Sequence, residues 1–283
     1  MKKLQIIIPL IYLAFVAWWL SFQHVVTQEG TSVQWFSSTY GVMALIGSLV
    51  GLAAAKKWGG WKTVLGKSLT LFSLGLLAQE AGQLIYAYYI YVDKIQIPYP
   101  SWGDVAYFGS VLLYISAAWF LAKAIGTRFS LSDAKYKVVA VVVPVVLLIT
   151  SYAVLLHNHQ YDTSHPLTVF LDFGYPMGQA IYVSIAIVAF LLSRKSLGGV
   201  LRKGIMLILL ALLIQYASDS TFIYQNSRQT YYSGGADDLL YLTAYFAMAM
   251  ALLKFVTIYQ SLKTGAPPVE QTNPTEQVES QNG

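Results

Sequence analysis

The sequence predicts an all-α integral membrane protein with eight transmembrane helices. Of its 283 residues, 56% are hydrophobic and only 11% are charged, and the mean hydropathy is +0.55. So few charges cannot cover the apolar surface of a soluble domain of this size. The apolar residues also fall into runs of roughly 20 residues, the length at which a helix crosses ~30 Å of hydrocarbon. Composition and run length therefore indicate a polytopic protein whose first partner is the lipid bilayer.

The predicted spans follow one another with short connections. The first apolar run, after MKK, is long for a signal peptide and no small-residue cleavage site follows it, so we expect a retained span. Pro9, Pro144 and Pro176 lie inside spans, where we expect kinks or bends. Gly47 and Gly51 form a G-x-x-x-G pair that favours close helix packing. The eight spans are 4–22, 38–55, 64–92, 103–124, 137–156, 168–192, 204–225 and 237–260.

The connecting segments alternate in charge, which predicts the orientation. Segments 56–62, 126–137 and 193–203 are basic, whereas those on the other side hold only Lys94 and Arg228. Because cytoplasmic loops carry the excess of Lys and Arg, we expect both termini in the cytoplasm and the protein in the plasma (inner) membrane. The basic pI of about 9.1 then reflects topology, and no nucleic-acid partner is expected. Residues 1–264 form the predicted membrane domain, and the polar tail 265–283 is expected to be disordered.

An internal duplication is predicted from stretches about 136 residues apart. LLAQEAGQLIYAYY (76–89) aligns with LLIQYASDSTFIYQ (212–225), and a similar shift aligns the two D-x-x-Y segments that open spans 4 and 8. Four spans per copy leave both copies in the same orientation. We therefore expect parallel repeats, 1–125 and 137–262, related by an axis along the membrane normal.

Acidic residues enter the apolar spans from the predicted outer side. Spans 4, 6 and 8 each begin with a D-x-x-Y spacing, which places the two side chains on one helix face. Spans 3 and 7 add amide and carboxyl groups in their outer halves. These residues predict an outward-facing acidic and aromatic pocket. The predicted ligand-binding residues are Glu80, Gln83, Asp104, Tyr107, Asp172, Tyr175, Gln215, Asp219, Asp238 and Tyr241.

Helix capping is the competing explanation for part of this pattern. Asp104 and Asp238 stand where an aspartate caps the free N–H groups of a helix start. Capping does not explain Glu80 or Asp219, and it explains Asp172 poorly. Placing an ionisable side chain inside the hydrocarbon region costs ~2.5–3.5 kcal/mol on insertion scales, so such a residue indicates a functional site. Carboxylates beside tyrosine and amide groups indicate an unknown small cation or polar ligand, with tyrosine faces adding cation–π attraction.

Other chemistries are weakly indicated. The loop HNHQYDTSH holds the zinc-ligand types His157, His159, Asp162 and His165, without an H-E-x-x-H motif. Lys254 lies near the inner end of the last span, where lysine snorkels, so we expect no Schiff base. Cysteine is absent and no G-x-S-x-G occurs. We therefore expect no enzyme activity, no catalytic residues and no cofactor.

Three segments each place a tyrosine three residues after an aspartate: PYPSWGDVAYFGSVLLYISAAWFLAK, LDFGYPMGQAIYVSIAIVAFLLSR and GGADDLLYLTAYFAMAMALLK. They resemble the multi-span membrane sensor regions that precede GGDEF and EAL cyclic di-GMP domains, or histidine kinases, in bacteria. The resemblance covers roughly residues 75–260, and it is partial because Phe108, not proline, follows Tyr107. It implies a sensory role. Since no output domain follows the last predicted span, we expect signals to pass through a cytoplasmic or membrane partner.

These features predict a non-enzymatic bacterial inner-membrane protein that acts as a sensory or ligand-binding module. The alternative is a secondary transporter or a cation- or proton-coupled carrier built from the two repeats. Transport requires an inner exit, and the inner halves of the spans hold few polar side chains besides Ser68, Thr70 and Ser73. This distribution favours sensing.

Overall fold

The protein is described by a computed structural model over residues 2–23, 30–95, 97–125, 134–153, 164–193, 200–228 and 230–264. Within these ranges the chain is helical and contains no strand, so the all-α prediction is confirmed. A 3₁₀ turn precedes the fourth helix and a π turn extends it. The helices are α1 (Lys2–Phe22), α2 (Thr31–Thr39), α3 (Val42–Lys57), α4 (Val64–Tyr88), α5 (Trp102–Ala124), α6 (Ala134–Ser151), α7 (Pro166–Leu192), α8 (Arg202–Ser227) and α9 (Ala236–Thr264).

Six helical segments of the described chain are long and apolar enough to cross a membrane. This is the architecture of a multi-pass membrane protein, as predicted. The segments are Lys3–Phe22, Thr31–Lys57, Trp102–Ala124, Pro166–Leu192, Arg202–Asn226 and Ala236–Thr264.

Two predicted spans do not belong to these six. The third predicted span is helix α4, whose mean hydropathy is lowered by Lys67, Gln79, Glu80 and Gln83. The fifth is helix α6, of which Val141–Thr150 is apolar but shorter. The six apolar segments thus support a membrane-spanning chain, while the predicted count of eight goes beyond them.

The second predicted span begins earlier than expected and is interrupted. Its first part, α2, starts after Gly30 at Thr31, and α3 resumes the helix at Val42. Gly41 stands at this interruption directly against α4, where a Cβ atom would overlap Oε2 of Glu80. Glycine therefore allows the α2–α3 junction to approach a buried carboxyl group.

Six helices form a closed ring. Helix α3 packs on α4, α4 on α5, α5 on α7, α7 on α8, and α8 on α9, which returns to α3. Helix α1 lies against α9 and α2, and α6 lies against α7. Tyr182, Tyr245 and Phe72 are fully buried, while Leu84 and Leu112 are exposed, as expected of side chains that face lipid.

Two glycines shape the seam between α4 and α5. A Cβ atom at Gly82 would lie 2.7 Å from Cζ of Tyr107, and one at Gly75 would overlap the Tyr114 ring. Small residues at helix interfaces let helices approach closely in membranes. In this seam they let two tyrosine rings of α5 lie against the α4 backbone, which fixes Tyr107 at one end of the ring.

Candidate functional site

A cavity opens inside the helix ring at the end where α5, α7 and α9 begin. Its volume is about 50 Å³, more than a single water molecule requires. Seven of the ten predicted ligand-binding residues line it: Gln83, Asp104, Tyr107, Tyr175, Asp219, Asp238 and Tyr241. Gln83 and Tyr241, which are 158 residues apart in the chain, thus line the same cavity.

Asp104 lies at the start of α5 and is both a helix cap and a cavity residue. Ser101 and Asp104 form a capping box, in which the Ser101 backbone N–H donates to Oδ2 at 2.7 Å and its hydroxyl donates at 3.0 Å. The other carboxylate oxygen, Oδ1, accepts from the Tyr175 hydroxyl of α7 at 3.1 Å. The capping explanation is therefore correct for Asp104, and it does not exclude a role in the cavity.

Asp238 occupies the equivalent place at the start of α9. Its Oδ2 accepts from the Ser37 hydroxyl of α2 and from the Gly234 backbone N–H, each at 2.7 Å. Gly234 adopts a φ of 77°, a left-handed conformation that glycine tolerates. Tyr40 also interacts with the Asp238 side chain. Asp238 thus connects α9 with the beginning of the second predicted span.

Asp219 is held from three helices. Tyr241 of α9 donates to Oδ1 at 2.6 Å, and Gln215, one turn earlier on α8, donates to Oδ2 at 3.1 Å. Gln179 of α7 donates to the same Oδ2 atom. Asp219 remains partly exposed, whereas Asp104 and Asp238 are 4% and 2% exposed. Of the three aspartates that line the cavity, Asp219 is therefore the least buried residue.

Gln83 and Tyr107 form the corresponding pair on α4 and α5. The Tyr107 hydroxyl donates to Oε1 of Gln83 at 3.0 Å, and the Gln83 amide donates to the Ser37 carbonyl. Just inward, Gln79 accepts from the Tyr245 hydroxyl at 2.9 Å and donates to Ser110 at 2.7 Å. These bonds fix both amides in buried positions.

Three predicted residues do not line the cavity. Asp172 is buried beside it and accepts from the Tyr99 hydroxyl at 2.8 Å. Gln215 donates a hydrogen bond to Oδ2 of Asp219 but is not itself a lining residue. Glu80 lies on α4 close to the α2–α3 junction, is 7% exposed, and its Oε2 atom has no hydrogen-bond partner within the described chain.

The remaining lining residues were not predicted as ligand-binding residues. Ser37 and Tyr40 repeat the spacing of the D-x-x-Y segments without the acid, and Tyr245 follows Tyr241 by one helical turn, so periodicity contains a signal for them. Residues between helices have no such signal. The additional lining residues are Ser37, Tyr40, Tyr86, Ile90, Ile97, Phe222, Ile223, Tyr231, Ser233 and Tyr245.

The cavity is acidic and aromatic. Three carboxylates and seven tyrosines line it, and no lysine, arginine or histidine is among the lining residues of the described chain. In the segment before α9, burial and the neighbouring Asp238 and Asp237 carboxylates raise the pKa of Tyr231 well above its ordinary value of 10.0. Tyr231 is therefore a neutral phenol across the physiological pH range.

Within the described part of the chain, no group of three or more His, Cys, Asp or Glu side chains is placed to hold a metal ion. Of the predicted zinc ligands, His165 precedes α7. His157, His159 and Asp162 lie outside the described residues, as does the predicted tail.

Comparisons with protein-family models, curated proteins and solved structures find no match to this chain. The functional assignment therefore rests on the residues and geometry of the cavity.

Proposed function

We propose that the protein is a sensory or ligand-binding membrane module whose outward-facing cavity binds a small cationic or polar ligand. The observation that carries this proposal is the convergence of Asp104, Asp219 and Asp238, from three different helices, on one tyrosine-lined cavity. Removing carboxylates from water costs free energy unless a partner compensates them. Hydrogen bonds compensate these carboxylates in part, but no basic side chain of the described chain lines the cavity to balance their charge, and a cationic ligand would supply the missing positive charge.

We infer eight spans, with α4 and α6 completing the set, and cytoplasmic termini. Helix α4 is an integral member of the ring despite its polar residues. Lys56 and Lys57 end α3, and Arg202 and Lys203 begin α8, so these basic groups lie at the end opposite to the cavity. The excess of basic residues on the cytoplasmic side then supports an outward-facing cavity.

The internal duplication is supported by a hydrogen bond that recurs in both halves. Tyr107 of α5 donates to Gln83 of α4 at 3.0 Å, and Tyr241 of α9 donates to Asp219 of α8 at 2.6 Å. The two tyrosines are 134 residues apart, and their acceptors 136. The order α3, α4, α5 is followed around the ring by α7, α8, α9, as two parallel repeats require.

Two further bonds join the halves reciprocally. Tyr175 of the second half donates to Asp104 of the first at 3.1 Å, and Ser37 of the first half donates to Asp238 of the second at 2.7 Å. Because all four of these residues line the cavity, a ligand that binds there would change contacts between the two halves at both places. This supports a mechanism in which ligand occupancy alters helix packing and a cytoplasmic or membrane partner reads the change.

A carrier is the second candidate function. The polar groups in the inner half of α4 do not favour it, because Ser68 donates to the Ala117 carbonyl, Thr70 to Gly66 and Ser73 to Leu69, at 2.7–2.8 Å. All three side chains are buried. These hydroxyls serve helix packing, which favours binding and signalling over transport.

Single-cysteine labelling tests the orientation, since the natural chain has no cysteine. Tyr232, 37% exposed near the cavity, and Trp61, 57% exposed at the opposite end, provide matched sites. In intact cells a membrane-impermeant maleimide is expected to label the Tyr232→Cys variant, and to label the Trp61→Cys variant only after lysis. The reverse pattern would overturn the outward-facing assignment.

A solute screen separates sensing from transport. Solutes that raise the melting temperature of the purified protein are tested for uptake into liposomes that contain it. A sensory module predicts binding without uptake, whereas protein-dependent accumulation would establish the carrier instead. A broad screen in which nothing binds would contradict both.

A further inference from the structure

We propose that the ligand of the cavity is a small organic ammonium ion, a charged amine on a compact apolar body. This inference rests on the proposed function and narrows its ligand from cationic or polar solutes to one chemical class.

Five hydroxyl donors in the cavity wall are already used. Four lining tyrosines donate to acceptors within the protein, at 2.6–3.1 Å, and Ser37 donates to Asp238 at 2.7 Å. A carboxylate oxygen has two lone pairs and a phenol oxygen keeps its own after donating. The wall therefore offers acceptors in excess of donors. An ammonium group, which only donates, complements this wall, whereas a carboxylate or phosphate ligand does not.

The charge of the lining residues also favours a cationic ligand. Asp104, Asp219 and Asp238 line the cavity, and lysine, arginine and histidine are absent from its wall as far as the structure describes the chain. Asp219 is the least buried of the three residues, and two of its donors, Tyr241 and Gln215, fix both carboxylate oxygens in place. We therefore assign Asp219 as the carboxylate that contacts the ammonium group.

The apolar part of the wall distinguishes an organic cation from a metal ion. Seven tyrosines, Phe222 and three isoleucines line the cavity, and hard metal ions require converging oxygen ligands. The rings of Tyr40, Tyr241 and Tyr245 lie with centroids 6.2–6.5 Å apart. Tyrosine faces attract organic cations, and their edges accommodate alkyl groups. A volume of about 50 Å³ restricts the body to a few carbon atoms.

The test compares compounds of one shape and different charge. Isobutylamine, isobutanol and isobutyrate are titrated into the detergent-purified full-length protein, with tetramethylammonium as a cation that cannot donate. Binding is followed by thermal shift and by ligand-observed NMR. Isobutylamine is expected to bind at least tenfold more tightly than the other three.

Variants locate the site. Asp219→Asn is expected to weaken isobutylamine binding at least tenfold, and Asp219→Glu, which keeps the charge, to retain part of it. Asp93→Asn, at an exposed aspartate just beyond α4, serves as the matched control and is expected to bind as the wild type does. If Asp219→Asn does not fold, the Glu variant and a Tyr241→Phe variant carry the comparison.

The outcomes separate the two proposals. Equal binding of isobutanol or isobutyrate, or binding that Asp219→Asn and Asp219→Glu leave unchanged, overturns the ammonium ligand while a ligand-binding cavity stands. If neither these compounds nor any solute of the broad screen binds, the proposed function falls with it.

Discussion

Asp104 shows that a helix cap and a site carboxylate can be the same residue. Its Oδ2 atom serves the Ser101 cap while Oδ1 accepts from Tyr175 on another helix. Each oxygen has two lone pairs, so these bonds do not exhaust its capacity to accept. Sequence alone presents capping and function as alternatives, and the two-sided geometry of the carboxylate removes the conflict.

Tyr99 lies outside the spans, and its hydroxyl donates a hydrogen bond to Asp172 at 2.8 Å. Burial, and then the Asp172 charge, raise the pKa of Tyr99 well above its ordinary value of 10.0. A raised pKa contributes stability that is present below the unfolded value and is lost as pH rises above it. Between pH 10 and 12, Tyr99→Phe should therefore lose stability less steeply than the wild type, by up to about 1.4 kcal/mol per pH unit.

The measurement is chemical unfolding in detergent at a series of alkaline pH values. Tyr232→Phe, at an exposed tyrosine, is the control and should follow the wild-type curve. Identical pH slopes for wild type and Tyr99→Phe would show that Tyr99 ionises as easily in the folded as in the unfolded protein.

At the level of elements, the glycine seam of α4 provides a paired test. A Cβ atom at Gly82 would lie 2.7 Å from the Tyr107 ring, which also packs edge-on against Tyr86 at 5.1 Å and is tied to Gln83. Because these contacts hold its ring, Tyr107 cannot easily move away from an added methyl group. We expect Gly82→Ala to destabilise the protein by about 1–3 kcal/mol, the usual cost of overpacking.

Gly109 on α5 is the matched control, because a Cβ atom there meets nothing within 4 Å. Gly109→Ala should be neutral or stabilise by up to about 1 kcal/mol, since alanine is the better helix former. Thermal and denaturant unfolding of the two variants, side by side, check the prediction. Comparable losses for both would mean that helix propensity, not the seam, decides the effect.

The sequence is most informative about site residues that lie within helices. The polar positions on helices, such as Asp219 and Tyr241, were predicted because 3.6-residue periodicity relates spacing to helix face. Tyr231 and Ile97 line the cavity from segments between helices, where no periodic signal exists. The early start of the second span at Thr31 was missed because TSVQWFSST is too polar to resemble a span.

For the whole molecule, the closed ring explains why Asp172 and Glu80 do not reach the cavity despite suitable spacing. Depth along one helix can be estimated from the sequence, but rotation about its axis depends on the neighbouring helices. Asp172 is held by Tyr99 from a connecting segment, and Glu80 is directed towards Gly41 at the α2–α3 junction. Both contacts are long-range consequences of ring closure, which composition and periodicity do not specify.

Because contacts between the two halves of the chain close the helix ring, we expect the halves to assemble when they are produced separately. The seams between halves are α5 with α7 and α9 with α3. The buried bond from Tyr175 to Asp104 lies at the first seam, and the buried bond from Ser37 of α2 to Asp238 of α9 adds to the second. Chains split between α5 and α6 and co-expressed with a tag on one half should co-purify. Tyr175→Phe combined with Ser37→Ala should reduce recovery of the untagged half several-fold, because both seams lose a hydrogen bond that contributes about 1 kcal/mol.

The control replaces Ser37→Ala with Ser38→Ala, since the Ser38 hydroxyl donates within its own helix, to Gln34 at 2.8 Å. That substitution removes a hydroxyl from the same turn but leaves the seam bond to Asp238 intact. Recovery should then fall only by the share due to Tyr175→Phe. Halves that purify independently would contradict the predicted assembly. Equal recovery from both double variants would show that the Ser37–Asp238 bond does not hold the ring closed. The remaining contacts of α9 with α3, which include the bond from Trp58 Nε1 to the Phe255 carbonyl at 3.0 Å, would then join the two halves.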